Sequence, residues 1–167
     1  TTTDKIEHFK KSSTAPASAI NTVNIDDEDS DYEIKLWLDS TDKTAYYYAE
    51  SEKVYLNKDS SRMFTYDWGE EKTKNITDVD LSNFATSQVT SMSYMFSGMS
   101  KLTSLNLSNF DTSHVISMSG MFRSVSNLTS LDLSNFNTFK VTDMSYMFSN
   151  MSNLTSLNLS NFDTSQV

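Results

Sequence analysis

LTSLNLSNFDTS, residues 102–113, returns as LTSLDLSNFNTF from Leu128 and as LTSLNLSNFDTS from Leu154, with a weaker ITDVDLSNFATS from Ile76. The LSNF tetrad starts at Leu81, Leu107, Leu133 and Leu159, a strict 26-residue period. MF pairs at Met95, Met121 and Met147 keep that interval; an earlier pair at Met63 lies 32 residues ahead, so an insertion of six, carrying Tyr66, Trp68 and Gly69, separates it from the rest. A catalytic site needs unlike residues brought together once, whereas a fixed period brings like residues together repeatedly. A period of this length is the signature of a stacked array.

Within one repeat the constant apolar positions are Val89, Met92, Met95, Phe96, Leu102, Leu105, Leu107 and Phe110. Leu102-x-x-Leu105-x-Leu107 has the spacing of a leucine-rich-repeat strand, with Leu81, Leu107, Leu133 and Leu159 as one buried column. Met92, Met95, Phe96 and Met99 recur at three, four and seven, which predicts one to two turns of helix facing the same core. The fold class expected is therefore an α+β repeat, a leucine-rich-repeat solenoid with a short strand and a short helix in each 26-residue coil. No coil buries these groups alone, so each apolar column is repeated because stacking requires it. Phenylalanine (Phe84, Phe110, Phe136, Phe162) stands where the leucine-rich consensus has its ladder asparagine, and asparagine precedes it. A phenylalanine spine is expected, with Asn83, Asn109, Asn135 and Asn161 capping turn backbone groups.

Outward from the array, residues 32–75 hold YEIKLWL, TAYYYAE and KVYLN, short Tyr- and Val-rich runs that predict a β-rich N-terminal cap. Their aromatics, Trp37, Tyr46, Tyr47, Tyr48, Tyr55, Tyr66 and Trp68, serve either as cap core or as a sugar-stacking platform. Residues 1–31 are Ser-, Thr- and Ala-rich, contain the only proline and end in the acid run DDEDSD; they are expected to be a linker, partly disordered. That run is no EF-hand loop, because the sixth and twelfth positions lack the glycine and glutamate such a loop needs. Residues 76–167 form the array, which is expected to be cut within a repeat of a longer protein.

Charge and composition narrow the partners. A net charge of −9 speaks against nucleic acid, which demands a concentrated Lys/Arg face. Residues 1–80 carry 18 acidic and 10 basic side chains, residues 81–167 only 4 and 3, so the repeats are nearly uncharged. No cysteine is present for a disulfide or thiolate site, and no apolar run approaches the roughly 20 residues of a spanning helix.

The stretch VTSMSYMFSGMSKLTSLNLSNFDTS resembles the repeat of BspA-like bacterial leucine-rich-repeat surface proteins, in particular the lipoprotein-type branch of mycoplasmas and Firmicutes. The likeness covers Met63 to Val167, and AYYYAESEKVYLNKDSSRMF resembles the segment that leads into such arrays. It implies a right-handed solenoid, an extracellular or surface-anchored location, and adhesion to host matrix protein, mucus or other bacteria. One departure is Met99, Val125 and Met151, where the family often has cysteine. No active site is implied, so no functional residue is carried over from it.

Candidate contact residues lie between the leucines, where Thr103, Ser104 and Asn106 and their counterparts Thr129, Ser130 and Asp132 form columns of hydroxyls and amides. Such a face suits a host or environmental protein or glycan, and suits equally a solvated surface. Phe139, alone among serines at Ser87, Ser113 and Ser165, is the best single candidate for an exposed contact, and Arg123 varies against Ser97 and Ser149. The structural core is assigned to Met95, Phe96, Leu102, Leu105, Leu107 and Phe110. His8 lies in the expected linker and His114 in a turn whose counterparts are Gln88, Lys140 and Gln166, so neither is placed as a general base. The expectation is a non-enzymatic, monomeric, cell-surface adhesion module without cofactor or metal; the alternative is a structural stalk displaying another module.

Overall fold

The computed structural model describes residues 6–17, 22–24, 33–65 and 73–167. Among the described residues nine short strands form: β1 (His8–Lys11), β2 (Thr22–Asn24), β3 (Ile34–Asp39), β4 (Thr44–Ala49), β5 (Val54–Tyr55), β6 (Asp78–Val79), β7 (Phe84–Ala85), β8 (Ser130–Asp132) and β9 (Ser156–Asn158). They make a five-stranded sheet in the order β2-β3-β4-β1-β6 and two two-stranded sheets, β5-β7 and β8-β9. The hairpin β3–β4 turns at Thr41–Lys43, where the Asp39 carboxylate accepts the Thr41 N–H at 2.8 Å and Lys43 takes a left-handed φ of 57°.

The expected α+β leucine-rich-repeat solenoid is overturned, because the described residues contain no helix and their strands gather in several small sheets. The reason lies in the segment from Met92 to Met99. Tyr94 and Gly98 have left-handed φ of 57° and 80°, and their counterparts Gly120, Ser124, Tyr146 and Asn150 have φ of 59° to 61°. A left-handed residue every four positions stops a right-handed helix from propagating, at roughly 1–2 kcal/mol for each non-glycine residue. The chain forms a ribbon of turns instead. The N–H groups of Met95, Ser97 and Met99 bond three residues back to Met92, Tyr94 and Phe96, while those of Met92, Tyr94, Phe96 and Gly98 reach across to the carbonyls of Ser117, Ser119, Met121 and Arg123. The pattern recurs from Met118, Gly120, Phe122 and Ser124 to Asp143, Ser145, Met147 and Ser149. A helix would have satisfied these donors internally and left the repeats no backbone bonds to one another. The apolar spacing of three and four, which matches a helix, here serves successive turns.

Successive repeats therefore lie against one another as layers. Phe64, Phe96, Phe122 and Phe148 stack with centroids 5.6, 5.9 and 6.0 Å apart and rings within 10° of parallel, contributing about 0.5–1.5 kcal/mol per pair beyond burial. The column at Leu81, Leu107 and Leu133 is buried as its period requires, and Leu159 at its end is half exposed. Phe84, Phe110 and Phe136 are buried too, but of that expected spine the stacked pair is Phe136–Phe162 at 6.5 Å; Phe84 turns to Phe9 and Tyr47. Of the core residues assigned from sequence, Met95, Phe96, Leu102, Leu107 and Phe110 are buried, and Leu105 is partly buried against the same cluster.

The expected linker contributes two strands. β1 enters between β4 and β6 in parallel, pairing His8 with Thr44 and with Asp78, and Phe9 stacks on Tyr47 at 5.1 Å. Phe9, with Ile6, supplies the apolar contact that holds the segment to the core. The acid run and the residues Tyr66, Trp68 and Gly69 lie outside the described residues.

Candidate functional site

Each layer is tied to the next by neutral polar side chains. The buried Thr86 hydroxyl donates to the Asp111 carbonyl at 2.9 Å and accepts the Asp111 N–H at 2.8 Å. Thr112 holds Asn137, and Thr138 holds Asp163, in the same two ways. Asn109 donates to the carbonyls of Leu81 and Phe84, and Asn135 to those of Leu107 and Phe110, the capping role expected of these amides. Asn161 donates to the Ser134 carbonyl. Hydroxyls meet hydroxyls between Ser61 and Ser91 and between Ser93 and Ser117, each at 2.7 Å.

These bonds sort the candidate contact residues. Asn106 and Asp132 are exposed, yet their side-chain oxygens accept the N–H groups of Ser108 (3.0 Å) and Ser134 (2.9 Å), closing a turn. The Ser134 N–H, with its hydroxyl, holds the Asp132 carboxyl below the usual carboxylate range. Thr103 donates its hydroxyl to the Thr77 carbonyl, and the Thr129 carbonyl accepts the Thr155 hydroxyl. Ser104 and Ser130 stand exposed between them, on a face where β8 and β9 run parallel with Ser130 opposite Ser156 and Asp132 opposite Asn158. Phe139 is 62% exposed; its N–H closes a turn onto Asn137, which leaves the ring outside the core. The turn use of Asn106 and Asp132 has a sequence signal, a serine two residues on, that repeats at Asp111, Asp143 and Asp163.

The cap aromatics divide likewise. Tyr47 is buried, its hydroxyl donating to Asn83 Oδ1 at 2.5 Å, and burial pushes that hydroxyl upward. Trp37 is buried and stacks on Tyr46 at 5.6 Å, whereas Tyr55 is exposed. Among the described rings Tyr47 and Trp37 are buried, Tyr46 and Tyr48 are half-buried and Tyr55 is exposed, so they divide between cap core and surface.

Two groupings escape a sequence reading. His8 Nδ1 meets Asp78 Oδ2 at 2.5 Å, with the Thr77 hydroxyl 3.1 Å from the same oxygen and Lys10 Nζ 4.0 Å from the other. The pairing depends on β1 joining β6, seventy residues away in sequence. On another side of the layers, Arg62 lies over the Tyr94 ring at 5.6 Å and Arg123 over the Tyr146 ring at 5.8 Å. His114 sits exposed beside the Ser113 hydroxyl at 3.2 Å, and the Asp111 carboxylate accepts the Ser113 N–H at 3.0 Å. Among the described residues no three His, Asp or Glu side chains gather where they could hold a metal ion, and no helix is long and apolar enough to cross a membrane.

No curated protein and no solved structure matches the chain. One family does, over residues 58–167, which takes in every layer from Phe64 to Phe162. The chain thus belongs to the family described as Mycoplasma protein of unknown function, DUF285.

Proposed function

We propose that this protein is a non-enzymatic, monomeric surface module of the BspA-like kind, an adhesin whose layered face binds a host or environmental glycoprotein, mucus or matrix protein. The observation that carries the reading is the division of labour among the polar side chains. Threonines and asparagines are consumed in tying layers together, while Ser104, Ser130 and Phe139 remain exposed with no part in core or turn closure by their side chains. An exposed phenylalanine at a position that is serine in the neighbouring repeats supplies the apolar anchor that a polar contact face needs.

The test is retention of mucin and of matrix protein on a sensor surface by the full chain and by a variant carrying Ser104→Lys, Ser130→Lys and Phe139→Ala. Asn106 and Asp132 are left intact because changing them would open turns. The reading expects retention that the variant loses while keeping its melting temperature; equal retention by both would sink it. The alternative is a stalk that displays another module. It is favoured by the use of Asn106 and Asp132 in turn closure, which removes one of the polar columns from the contact face.

A further inference from the structure

The left-handed position that opens the second half of each turn ribbon is filled by Arg62, Tyr94, Gly120 and Tyr146 in successive layers. Gly120 shows what the backbone asks for there, since glycine alone adopts such a φ without steric cost. Bulky side chains at positive φ are outliers, and strained residues of this kind concentrate at ligand clamps. Two tyrosines nevertheless stand there, and neither ring joins the phenylalanine stack. Tyr94 lies down over Gly120, where an added Cβ would stand 2.6 Å from the tyrosine Cδ1. Tyr146 projects, 68% exposed. One face of each ring is covered by a guanidinium, of Arg62 and of Arg123.

Among the described residues neither arginine pairs with a carboxylate. The two flanking acids are engaged in turn closure, Asp59 accepting the Ser61 N–H at 3.0 Å and Asp143 the Ser145 N–H at 2.9 Å. The four positions lie on adjacent layers, so at about 4.8 Å per layer the ridge is about 14 Å long. It offers an exposed aromatic face and two guanidinium forks in an otherwise almost uncharged array.

We propose that this Arg62–Tyr94–Gly120–Tyr146 ridge, with Arg123 beside it, is a binding site for an anionic sugar. The apolar face of the pyranose lies on the exposed ring of Tyr146, and its carboxylate or sulfate takes the forked N–H groups of the arginines. Guanidinium prefers these planar or multidentate anions to a neutral hydroxyl, which sets the specificity. The ridge shares no residue with the Ser104, Ser130 and Phe139 surface and does not depend on it.

The full chain is titrated with 3′-sialyllactose, a heparin tetrasaccharide and lactose, with binding read by ligand-observed NMR and unfolding by calorimetry. The first two arms separate carboxylate from sulfate, and either one binding at least tenfold tighter than lactose supports the site. Tyr146→Gly is expected to weaken that binding tenfold or more while the melting temperature holds or rises, because glycine suits φ 59° better than tyrosine. Arg123→Gln is expected to remove the preference for anionic sugar. Lactose binding as well as the charged sugars, an acidic peptide competing equally, or a Tyr146→Gly variant that loses melting temperature and no sugar affinity would each overturn the proposal. Mucin retention that Tyr146→Gly leaves intact but the Ser104, Ser130 and Phe139 variant abolishes would refute this site and leave the adhesin reading standing.

Discussion

In the N-terminal sheet, His8 pairs with Thr44 on one side and Asp78 on the other, partners of different kind drawn from distant parts of the chain. In the layers each residue meets its own counterpart 26 positions on, as Ser130 meets Ser156 and Leu131 meets Leu157. Pairing unlike with unlike allows opposite charges, and all four ion pairs of the described residues join side chains between Glu7 and Asp78. Pairing like with like forbids them, because a charged column would set identical charges about 4.8 Å apart. The layers use hydroxyls and amides, which can donate and accept and so complement their own copies. In two columns carboxylates alternate with amides, Asp80, Asn106, Asp132, Asn158 in one and Asp111, Asn137, Asp163 in the other, and in a third two serines separate Asp59 from Asp143.

The largest effect should come from breaking the stack that only the layers possess. Phe122→Ala removes a fully buried ring with stacked neighbours on both sides and should cost about 3–5 kcal/mol in chemical denaturation. Next comes Thr112→Val, nearly equal in volume, which strips both the N–H and the carbonyl of Asn137 of their partner; a loss of about 2–3 kcal/mol is expected, and one below about 0.5 would deny the clasp its role. In the sheet, Tyr47→Phe leaves Asn83 Oδ1 without its donor, and Asn83 Nδ2 has no partner among the described residues, so a loss of about 1–2 kcal/mol is expected.

The smallest effects test the alternation itself. Asn137→Asp makes three carboxylates consecutive, and should destabilise by about 0.2–1 kcal/mol at pH 7, the loss shrinking as salt is added. Acid titration gives the complementary result. The Asp111 and Asp163 carboxyls are held low by the hydroxyls and N–H groups of Ser113 and Ser165, and Asp132 by Ser134. A folded value below the unfolded one means stability that is present above the unfolded carboxylate value of about 3.9 and is lost as pH falls through the folded value. Replacing these three by asparagine, the residue already used in neighbouring layers, should flatten the acid limb of the denaturation curve; an unchanged limb would show that these three carboxylates do not carry the acid sensitivity.

The same contrast explains how much of the molecule its sequence disclosed. The period identified the columns, so Leu102, Leu107, Phe96 and Phe110 could be assigned to the core and Asn109, Asn135 and Asn161 to capping, whereas Asn83 instead accepts the Tyr47 hydroxyl. The helix was misread because hydrophobic spacing cannot separate a helix from a run of turns. Glycine and asparagine at Gly98, Gly120 and Asn150 carried the missing sign of left-handed backbone. β1 was illegible for the opposite reason: it is unlike anything else in the chain, and its partners Thr44 and Asp78 lie far off in sequence. The contact surface was legible as a set of columns, but not which members were already committed, since a turn-closing aspartate and a free one are the same letter. Tyr94 and Tyr146 carry no sequence sign of their left-handed backbone, because tyrosine seldom adopts it.

The turn ribbon has one further property. From Ser60, Arg62 and Phe64 onward, every inter-layer bond in it runs from an N–H in one layer to a carbonyl in the next. The peptide dipoles of each row therefore add head to tail, at right angles to the chain that carries them. A β-sheet normally cancels its dipoles; this ribbon accumulates them as a helix does, with the positive pole at the layer of Tyr146 and Phe148. An extra layer can join that pole only with its carbonyls foremost, so the stack has a direction of assembly written in its backbone.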